Sequence, residues 1–505
     1  MCYVKIYHGL CPGQPLPRPR TAAVRRLLQP SHSAPSQRIL DPSALVLLFP
    51  SPKSVTGEDV LEIHTHGGPA IVRSVLDAIP LTCIPETEAS TRAFMRYAEP
   101  GEFTKRAFYN NRLDLTQAEA LGEMLSAETD QQLRIAINAA GNQLGQRYEQ
   151  WRNLLLNARG ELEAFIDFAE DQSFDESPAD FLASVSQQIT ALRNQVYLHI
   201  QNASKGELLR TGFRITLLGA PNAGKSSLLN IIAGREAAIV STEAGTTRDV
   251  VDVNVNIGGW SCYFGDTAGL RKHIGSVLSA PNSGSVGAIE KEGMRRAKQR
   301  AATSDVVIIL LSLERSSHDD VLHLHFDQEL VREVRVCNKL EKTMLVVVNK
   351  TDQLDYRDKE PFIQKSRREI GQMFPFIQTE NIYFSSCLQA HDASADSIDP
   401  GNIQAFLRGL QNLFVLLTRP SEISESKLGQ SYWEQSLSVS HRQSGHLKSC
   451  LMHLDNFLTK LAWQDDIDIV AAAEDLRYAA NELARITGKG ESGDVEDVLG
   501  VVFEK

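Results

Sequence analysis

The sequence predicts an α/β domain inserted into a helical bundle, with an α+β domain ahead of both. Three observations predict it. A strand-like run, a glycine-rich loop and a helix-compatible run follow one another directly over residues 213–232. Apolar stripes at helical spacing lie on either side of that region, and short apolar runs broken by proline stand near the amino terminus. At 505 residues the chain exceeds one hydrophobic core and should hold about three domains. Its 42% apolar and 23% charged content is that of a globular protein, and no stretch has the uninterrupted apolar length of a membrane span. The seven cysteines, at 2, 11, 83, 262, 337, 387 and 450, form no C-x-x-C pair, which argues against structural zinc and a disulfide framework and fits a reducing compartment. With a net charge of -11, a nucleic-acid partner would have to be held by a local basic surface.

Asp and Glu are absent before Asp41, while Lys5, Arg18, Arg20, Arg25, Arg26 and Arg38 are present. Such a stretch fits an organelle transit sequence, but residues 22–28 and 44–49 read as short strands separated by proline turns, which favours a folded domain over an amphipathic targeting helix. His64 and His66, two apart on an expected strand, would share a face; no third metal ligand is evident, and the Gly67-Gly68 turn accounts for the segment. Further on, Thr116-Gln117-Ala118-Glu119 has the pattern of a capping box opening a helix. Leu182, Val185, Ile189, Leu192 and Val196 then recur at alternating spacings of three and four, and Leu476, Ala480, Leu483 and Ile486 repeat the pattern near the end. Either stripe could serve a partner or a coiled coil, but the heptad runs are short, which favours an intramolecular core. The expected domains are 1–113, a first helical part at 114–207, the α/β domain at 208–409 and a second helical part at 410–505.

The central loop, Gly219-Ala220-Pro221-Asn222-Ala223-Gly224-Lys225-Ser226, completes G-x-x-x-x-G-K-S between its strand and helix. Its glycines let backbone N–H groups face a polyphosphate, Lys225 reaches the terminal phosphates, and the Ser226 hydroxyl can ligate magnesium at a helix N-terminus that favours anions. Asn349-Lys350-Thr351-Asp352 ends a strand-like run and reads guanine, because a carboxylate accepts from the guanine N1–H and exocyclic amine, a pattern adenine does not offer. Asp266-Thr267-Ala268-Gly269 and Thr246-Thr247-Arg248-Asp249 lie between as the magnesium and γ-phosphate elements, and Ser385-Ser386-Cys387 is a weaker match to the last guanine loop. All five occur in the order of a Ras-like P-loop G domain, so GTP is the expected ligand. The position after D-x-x-G, where Ras-type switches use glutamine, is Leu270, which cannot align water. Charge and water positioning must then come from an arginine finger, a monovalent cation or an acidic residue further along. Asn222 could coordinate potassium beside the phosphates or could stiffen the loop by a hydrogen bond.

Beyond these elements, Thr56-Gly57-Glu58-Asp59-Val60-Leu61-Glu62, His64-Thr65-His66-Gly67-Gly68-Pro69 and Pro100-Gly101-Glu102-Phe103-Thr104-Lys105-Arg106-Ala107-Phe108, with Asn111-Arg112-Leu113-Asp114-Leu115, resemble the amino-terminal domain of the MnmE (TrmE) tRNA-modification GTPases, including their mitochondrial members. The resemblance continues through Gln117-Ala118-Glu119-Ala120, residues 221–230, Gly234-Arg235-Glu236-Ala237-Ala238-Ile239-Val240 and Ala244-Gly245-Thr246-Thr247-Arg248-Asp249, covering nearly the whole chain.

This resemblance implies a potassium-activated GTPase acting with an FAD-dependent partner of the MnmG/GidA type in C5 modification of tRNA wobble uridine. It implies a GTP site built from Asn222-Ala223-Gly224-Lys225-Ser226-Ser227, Ser241-Thr242-Glu243-Ala244-Gly245-Thr246-Thr247, Asp266-Thr267-Ala268-Gly269 and Asn349-Lys350-Thr351-Asp352. Potassium would sit between the Asn222 side chain, the Ser241 and Glu243 carbonyls and Thr246, with Ser226 and Thr247 on magnesium. The family's water-orienting glutamate matches Glu290, beyond a Gly/Ser-rich stretch at 275–287, with Glu292 the runner-up and a plain surface charge the alternative. The amino-terminal domain of the family forms a homodimer and binds 5-formyl-tetrahydrofolate, for which Glu62 and Arg112 are the matching contacts. A mitochondrial location is implied, with bacterial-type cytoplasm as the alternative.

Two departures stand out. The family opens with a strand and a loop carrying a folate-binding arginine, and it closes with Phe-Cys-x-Gly-Lys; this chain starts at Met1-Cys2-Tyr3-Val4 and stops at Phe503-Glu504-Lys505. The expectation is a chain truncated at both ends, with folate binding weakened or lost. An Era-like regulatory or ribosome-assembly GTPase is the alternative function, and a basic or KH-like RNA-binding module would favour it; none is evident in the sequence.

Overall fold

The computed structural model describes residues 2–30, 38–83, 95–168, 178–235, 253–265, 301–315, 321–354, 359–391, 399–421, 430–462 and 468–488. The chain divides into two compact units: Met1–Leu121, Ala140–Ile189 and Met452–Lys505 form one, and Gly122–Ala139 and Thr190–Leu451 the other.

In the first unit a helix α1 (Cys2–Leu10) precedes a three-stranded antiparallel sheet of β1 (Ala23–Leu28), β2 (Ile39–Phe49) and β3 (Val60–His64), in the order β1-β2-β3. Helices α2 (Pro69–Ala78) and α3 (Glu102–Tyr109) follow. Leu27, Ala44 and Val46 of the sheet pack on Tyr7 and Leu10 of α1 and on Val75 and Ala78 of α2. β2 begins earlier than its apolar run suggested, because the pairing slips between Arg25 and Leu27 and lets the strand pass through Asp41-Pro42. The fully buried Asp41 carboxylate there accepts the backbone N–H groups of Ser43 and His66, at 2.9 and 2.8 Å.

Helices α4 (Leu115–Ser126), α5 (Asp130–Ala140), α6 (Gln143–Phe168) and α7 (Pro178–Thr211) come next. The capping box expected at Thr116 is displaced. Asp114 is the residue that caps α4: its Oδ1 accepts from Gln117 N at 2.8 Å and from the Thr116 hydroxyl at 2.6 Å, while Gln117 Oε1 reaches back to Asp114 N at 3.1 Å. An anionic acceptor at the positive end of a helix outcompetes a hydroxyl two residues later. On α7 the stripe Val185, Ile189, Leu192 and Val196 is buried, and the buried line continues past its apolar end through His199, Asn202 and Ala203. On the helix Ile469–Thr487, Leu476, Ala480, Leu483 and Ile486 are all buried, and this helix packs along α6.

The second unit is built on a seven-stranded sheet. β4 (Phe213–Gly219) leads into helix α8 (Lys225–Arg235), followed by β5 (Val253–Ile257), β6 (Trp260–Phe264), β7 (Val306–Arg315), β8 (Leu322–His325), β9 (Thr343–Asn349) and β10 (Ile382–Phe384). The order is β10-β9-β7-β4-β6-β5, with β8 antiparallel to β7. The pairs β10–β9, β9–β7, β7–β4 and β4–β6 are parallel, and β5–β6 is an antiparallel hairpin. β7 is buried from Val306 to Leu313, apolar but for Ser312, as suits a strand covered on both faces. One face joins Phe213, Val255, Ile257 and Trp260 to Phe406 and Phe414; the other joins Val307, Ile309 and Val346 to Val334, Ile370 and Phe374. The parallel arrangement brings the carboxyl ends of β4 and β9 to the same edge, two strands apart, and open α/β sheets bind ligands at that edge.

Candidate nucleotide site

β4 delivers Gly219 to the sheet edge, and the chain turns over Ala220 to Gly224 before α8 starts at Lys225. Two residues in the turn have left-handed backbones, Asn222 at φ 59° and Gly224 at φ 101°. Asparagine tolerates that region because its short amide can bond locally. Gly224 must lack a side chain for a second reason: a Cβ there would run into the Asn349 amide nitrogen. Ala223 N donates to Ala220 O at 3.3 Å, and Leu228 N to Gly224 O at 2.9 Å, which closes the loop onto the first turn of α8. Lys225 Nζ folds back over the loop, donating to the Gly219 and Ala220 carbonyls at 2.8 and 2.9 Å. Ser226 and Ser227 are exposed on the first turn of α8, as is Asn222 on the loop.

Beyond β7 on the same edge, β9 ends in Asn349, only 2% exposed. Its Nδ2 donates to the Ala223 carbonyl at 2.9 Å, and its Oδ1 accepts from Cys387 N at 3.1 Å. Asn349 therefore ties the phosphate loop, on one side, to the segment after β10, on the other. Lys350 turns the chain at φ 67°, and Thr351 N then donates to Ser385 O at 3.2 Å. The Asp352 carboxylate accepts the Ser386 hydroxyl at 2.5 Å, and Ser386 Oγ accepts Gln389 N at 3.1 Å. Burial pushes the Cys387 thiol up to about 11, against a lowering hydrogen bond from Asn349, so it stays a neutral thiol. The segment Ser385-Ser386-Cys387, weak as a motif, is thus bonded to both functional residues of Asn349-Lys350-Thr351-Asp352. No local signal in Ser-Ser-Cys marks it; the partners that give it meaning are more than thirty residues away in sequence.

The described part of the site therefore brings together residues 222–227, 349–352 and 385–387. Residues 241–247 and 266–270, with Glu290 and Glu292, lie outside the described residues.

In the first unit, Glu62 stands on β3 opposite Leu47, its side chain 41% exposed and its carboxylate 3.2 Å from His64 Nε2. Arg112 follows α3 and is exposed; its N donates to Ala107 O at 2.8 Å, and its stem lies beside Gly57. The expected shared face of His64 and His66 does not form, because β3 ends at His64. The His66 ring instead turns to the buried Asp41, with Nδ1 2.9 Å from Oδ1. A buried carboxylate needs every available donor, and this requirement takes His66 off the strand face. Among the described residues no cluster of three metal-ligating side chains occurs, and no helix is long and apolar enough to cross a membrane.

Comparison with known proteins covers nearly the whole chain. The profile of the GTP-binding protein TrmE N-terminus matches residues 3–112, and that of the MnmE helical domain matches residues 115–505. The mitochondrial tRNA modification GTPase mss1 of Schizosaccharomyces pombe is 32% identical over 97% of this chain and 87% of its own length. The mitochondrial 5-taurinomethyluridine-[tRNA] synthase subunit GTPB3 of Danio rerio is 34% identical over 97% of this chain and 85% of its own. The tRNA modification GTPase MnmE of the bacterium Paramagnetospirillum magneticum is 35% identical over 98% of this chain and 91% of its own. With both profiles end to end and relatives above 30% identity along nearly its full length, the chain belongs to the MnmE/TrmE family of tRNA modification GTPases.

Proposed function

We propose that this protein is a potassium-activated GTPase that takes part, with an FAD-dependent partner of the MnmG/GidA type, in C5 modification of the wobble uridine of tRNA. The observation that carries the nucleotide half is the Asn349 amide, bonded at once to the phosphate loop and to the guanine-side segment. Such a link makes one rigid cradle from two loops that grip opposite ends of a nucleotide. The tRNA half rests on the family and on the names of relatives that span the chain.

In this reading the backbone N–H groups of residues 222–227 hold the β- and γ-phosphates at the amino end of α8. Lys225 exchanges its carbonyl partners for phosphate oxygens, a trade of neutral acceptors for anionic ones. Asp352 reads guanine, with the Ser386 hydroxyl on one oxygen fixing the carboxylate plane and leaving acceptor capacity for the base. The oxygen donors fit hard cations: Ser226 and Thr247 would hold magnesium, and Asn222, Ser241, Glu243 and Thr246 would hold potassium. When bound, the two ions supply the positive charge that phosphoryl transfer requires. Glu290 orients the attacking water, the task that Leu270 cannot perform.

We further assign residues 1–113 to dimerisation and 5-formyl-tetrahydrofolate binding through Glu62 and Arg112. Residues 208–409 are the G domain, inserted between the helical parts 114–207 and 410–505.

Competition titration with GTP, GDP and ATP tests the nucleotide assignment; ATP binding as strong as GTP binding would overturn it. Asp352→Asn should shift preference toward xanthine nucleotides, because an acceptor becomes partly a donor. Mass spectrometry of tRNA nucleosides, in cells lacking the family enzyme and supplied with this chain, tests the modification half. Unmodified wobble uridine alongside normal GTP turnover would reject it.

A further inference from the structure

We infer that the β5–β6 hairpin is a strut that couples the two flanking segments, which carry the switch motifs in sequence, to α5, with Asn254 and Glu128 as the positioning pair. The inference rests on the GTPase reading above. β5 starts at Val253, shortly after Thr246-Thr247-Arg248-Asp249, and β6 ends at Phe264, two residues before Asp266-Thr267-Ala268-Gly269. Both ends of the hairpin are therefore covalently tied to segments whose sequence marks them as γ-phosphate readers.

The other side of the hairpin is held by α5. Ile135 of α5 belongs to the same apolar cluster as Val255, Ile257 and Trp260. At the tip, Gln131 N donates to Gly259 O at 3.4 Å. Asn254 is only 7% exposed although it lies on the face of β5 opposite Val255 and Ile257, the face it shares with Asn256. Its Nδ2 donates to Glu128 Oε2 at 3.1 Å and its Oδ1 accepts the Ser261 hydroxyl at 3.1 Å. A buried amide costs stability unless paired, and a carboxylate partner is the stronger kind of acceptor. Such a bond is also directional, and it is lost on a shift of about 1 Å. An apolar residue at 254 would hold the hairpin without registering its position; the amide registers it.

The first turn of α5 is tied to α7 as well. Gln132 Nε2 donates to Arg210 O at 2.8 Å, and its Oε1 accepts the N–H groups of Glu128 and Thr129 at 2.9 and 3.1 Å. Gly122–Ala139 shares a compact unit with the hairpin, whereas the chain before and after it, Met1–Leu121 and Ala140–Ile189, belongs to the other unit. A displacement of α5 is thus passed on along the chain at both of its ends.

The test is hydrogen exchange of peptides covering 128–139 in the full chain, loaded with GDP or with a non-hydrolysable GTP analogue. The expected result is a nucleotide-dependent difference of about threefold or more in exchange rate, which reports local opening. Glu128→Ala, a substitution at an exposed position, should erase the difference while GTP turnover and GDP affinity stay within about twofold. Asn254→Ala should do the same, and Glu128→Gln, whose amide oxygen still accepts from Asn254, should restore the difference. A wild-type chain with no difference between the two nucleotides, or a difference that survives both alanine substitutions, overturns the strut; so does loss of nucleotide binding in Glu128→Ala, which would make the contact a fold requirement. A wild-type chain that shows the difference but leaves tRNA unmodified rejects the proposed function and upholds the strut.

Discussion

Replacing Asn349 by alanine should loosen the nucleotide cradle without unfolding the sheet that carries it. Two partners lose their bond at once: the Ala223 carbonyl, at 2.9 Å, and Cys387 N, at 3.1 Å, both in buried surroundings. A buried backbone group left unpaired costs about 1–2 kcal/mol, so the pair amounts to about 2–4 kcal/mol. The nucleotide binds only the closed cradle, so the cost appears chiefly as lost affinity. Each 1.4 kcal/mol is about tenfold, which gives a loss of about 30- to 700-fold in GDP binding. Asn349→Asp separates the two bonds: it keeps the acceptor for Cys387 N but sets a carboxylate oxygen against the Ala223 carbonyl. It should weaken GDP binding at least as much as alanine does. Fluorescent-GDP titration reads the affinity, and circular dichroism reads whether the sheet survives. If both variants bind GDP within about twofold of the wild type, a cost of that size is excluded and the cradle is not held by Asn349.

Three more outcomes are expected. GTP hydrolysis should run faster in potassium than in sodium at matched ionic strength, and Asn222→Ala should remove that difference while GDP binding persists; cation-independent turnover would return the search to an arginine finger. Hydrogen bonds to Glu102 from Arg96, Glu99 N and Arg106 pull its carboxyl down from 4.5 to about 2. A depressed carboxylate stabilises the fold above its unfolded value and loses that contribution as the pH falls through the folded one, so the urea midpoint should drop between about pH 4.5 and 2, and Glu102→Gln should flatten that limb. Asp114→Ala should cost about 0.5–2 kcal/mol in urea unfolding through loss of the α4 cap, and Thr116→Ala clearly less; the reverse ranking would restore the cap to Thr116.

The sequence by itself determined the parts of this protein whose chemistry is carried by consecutive residues. The phosphate loop is legible because strand, glycines, lysine and helix must follow in that order, and Asn349-Lys350-Thr351-Asp352 because its strand ends where ligands bind. The stripes on α7 and on Ile469–Thr487 were legible for the same reason, since helical spacing of apolar residues is a local property. The tertiary structure alone decided what lies across the fold. Asn349 and Ala223 are 126 residues apart, and nothing in either segment announces the bond between them. The same holds for Ser386 on Asp352, for His66 drawn to Asp41, and for Asn254 paired with Glu128. A buried polar group must find a partner, but the sequence states only the need; which group answers it depends on which segments packing brings within about 3 Å.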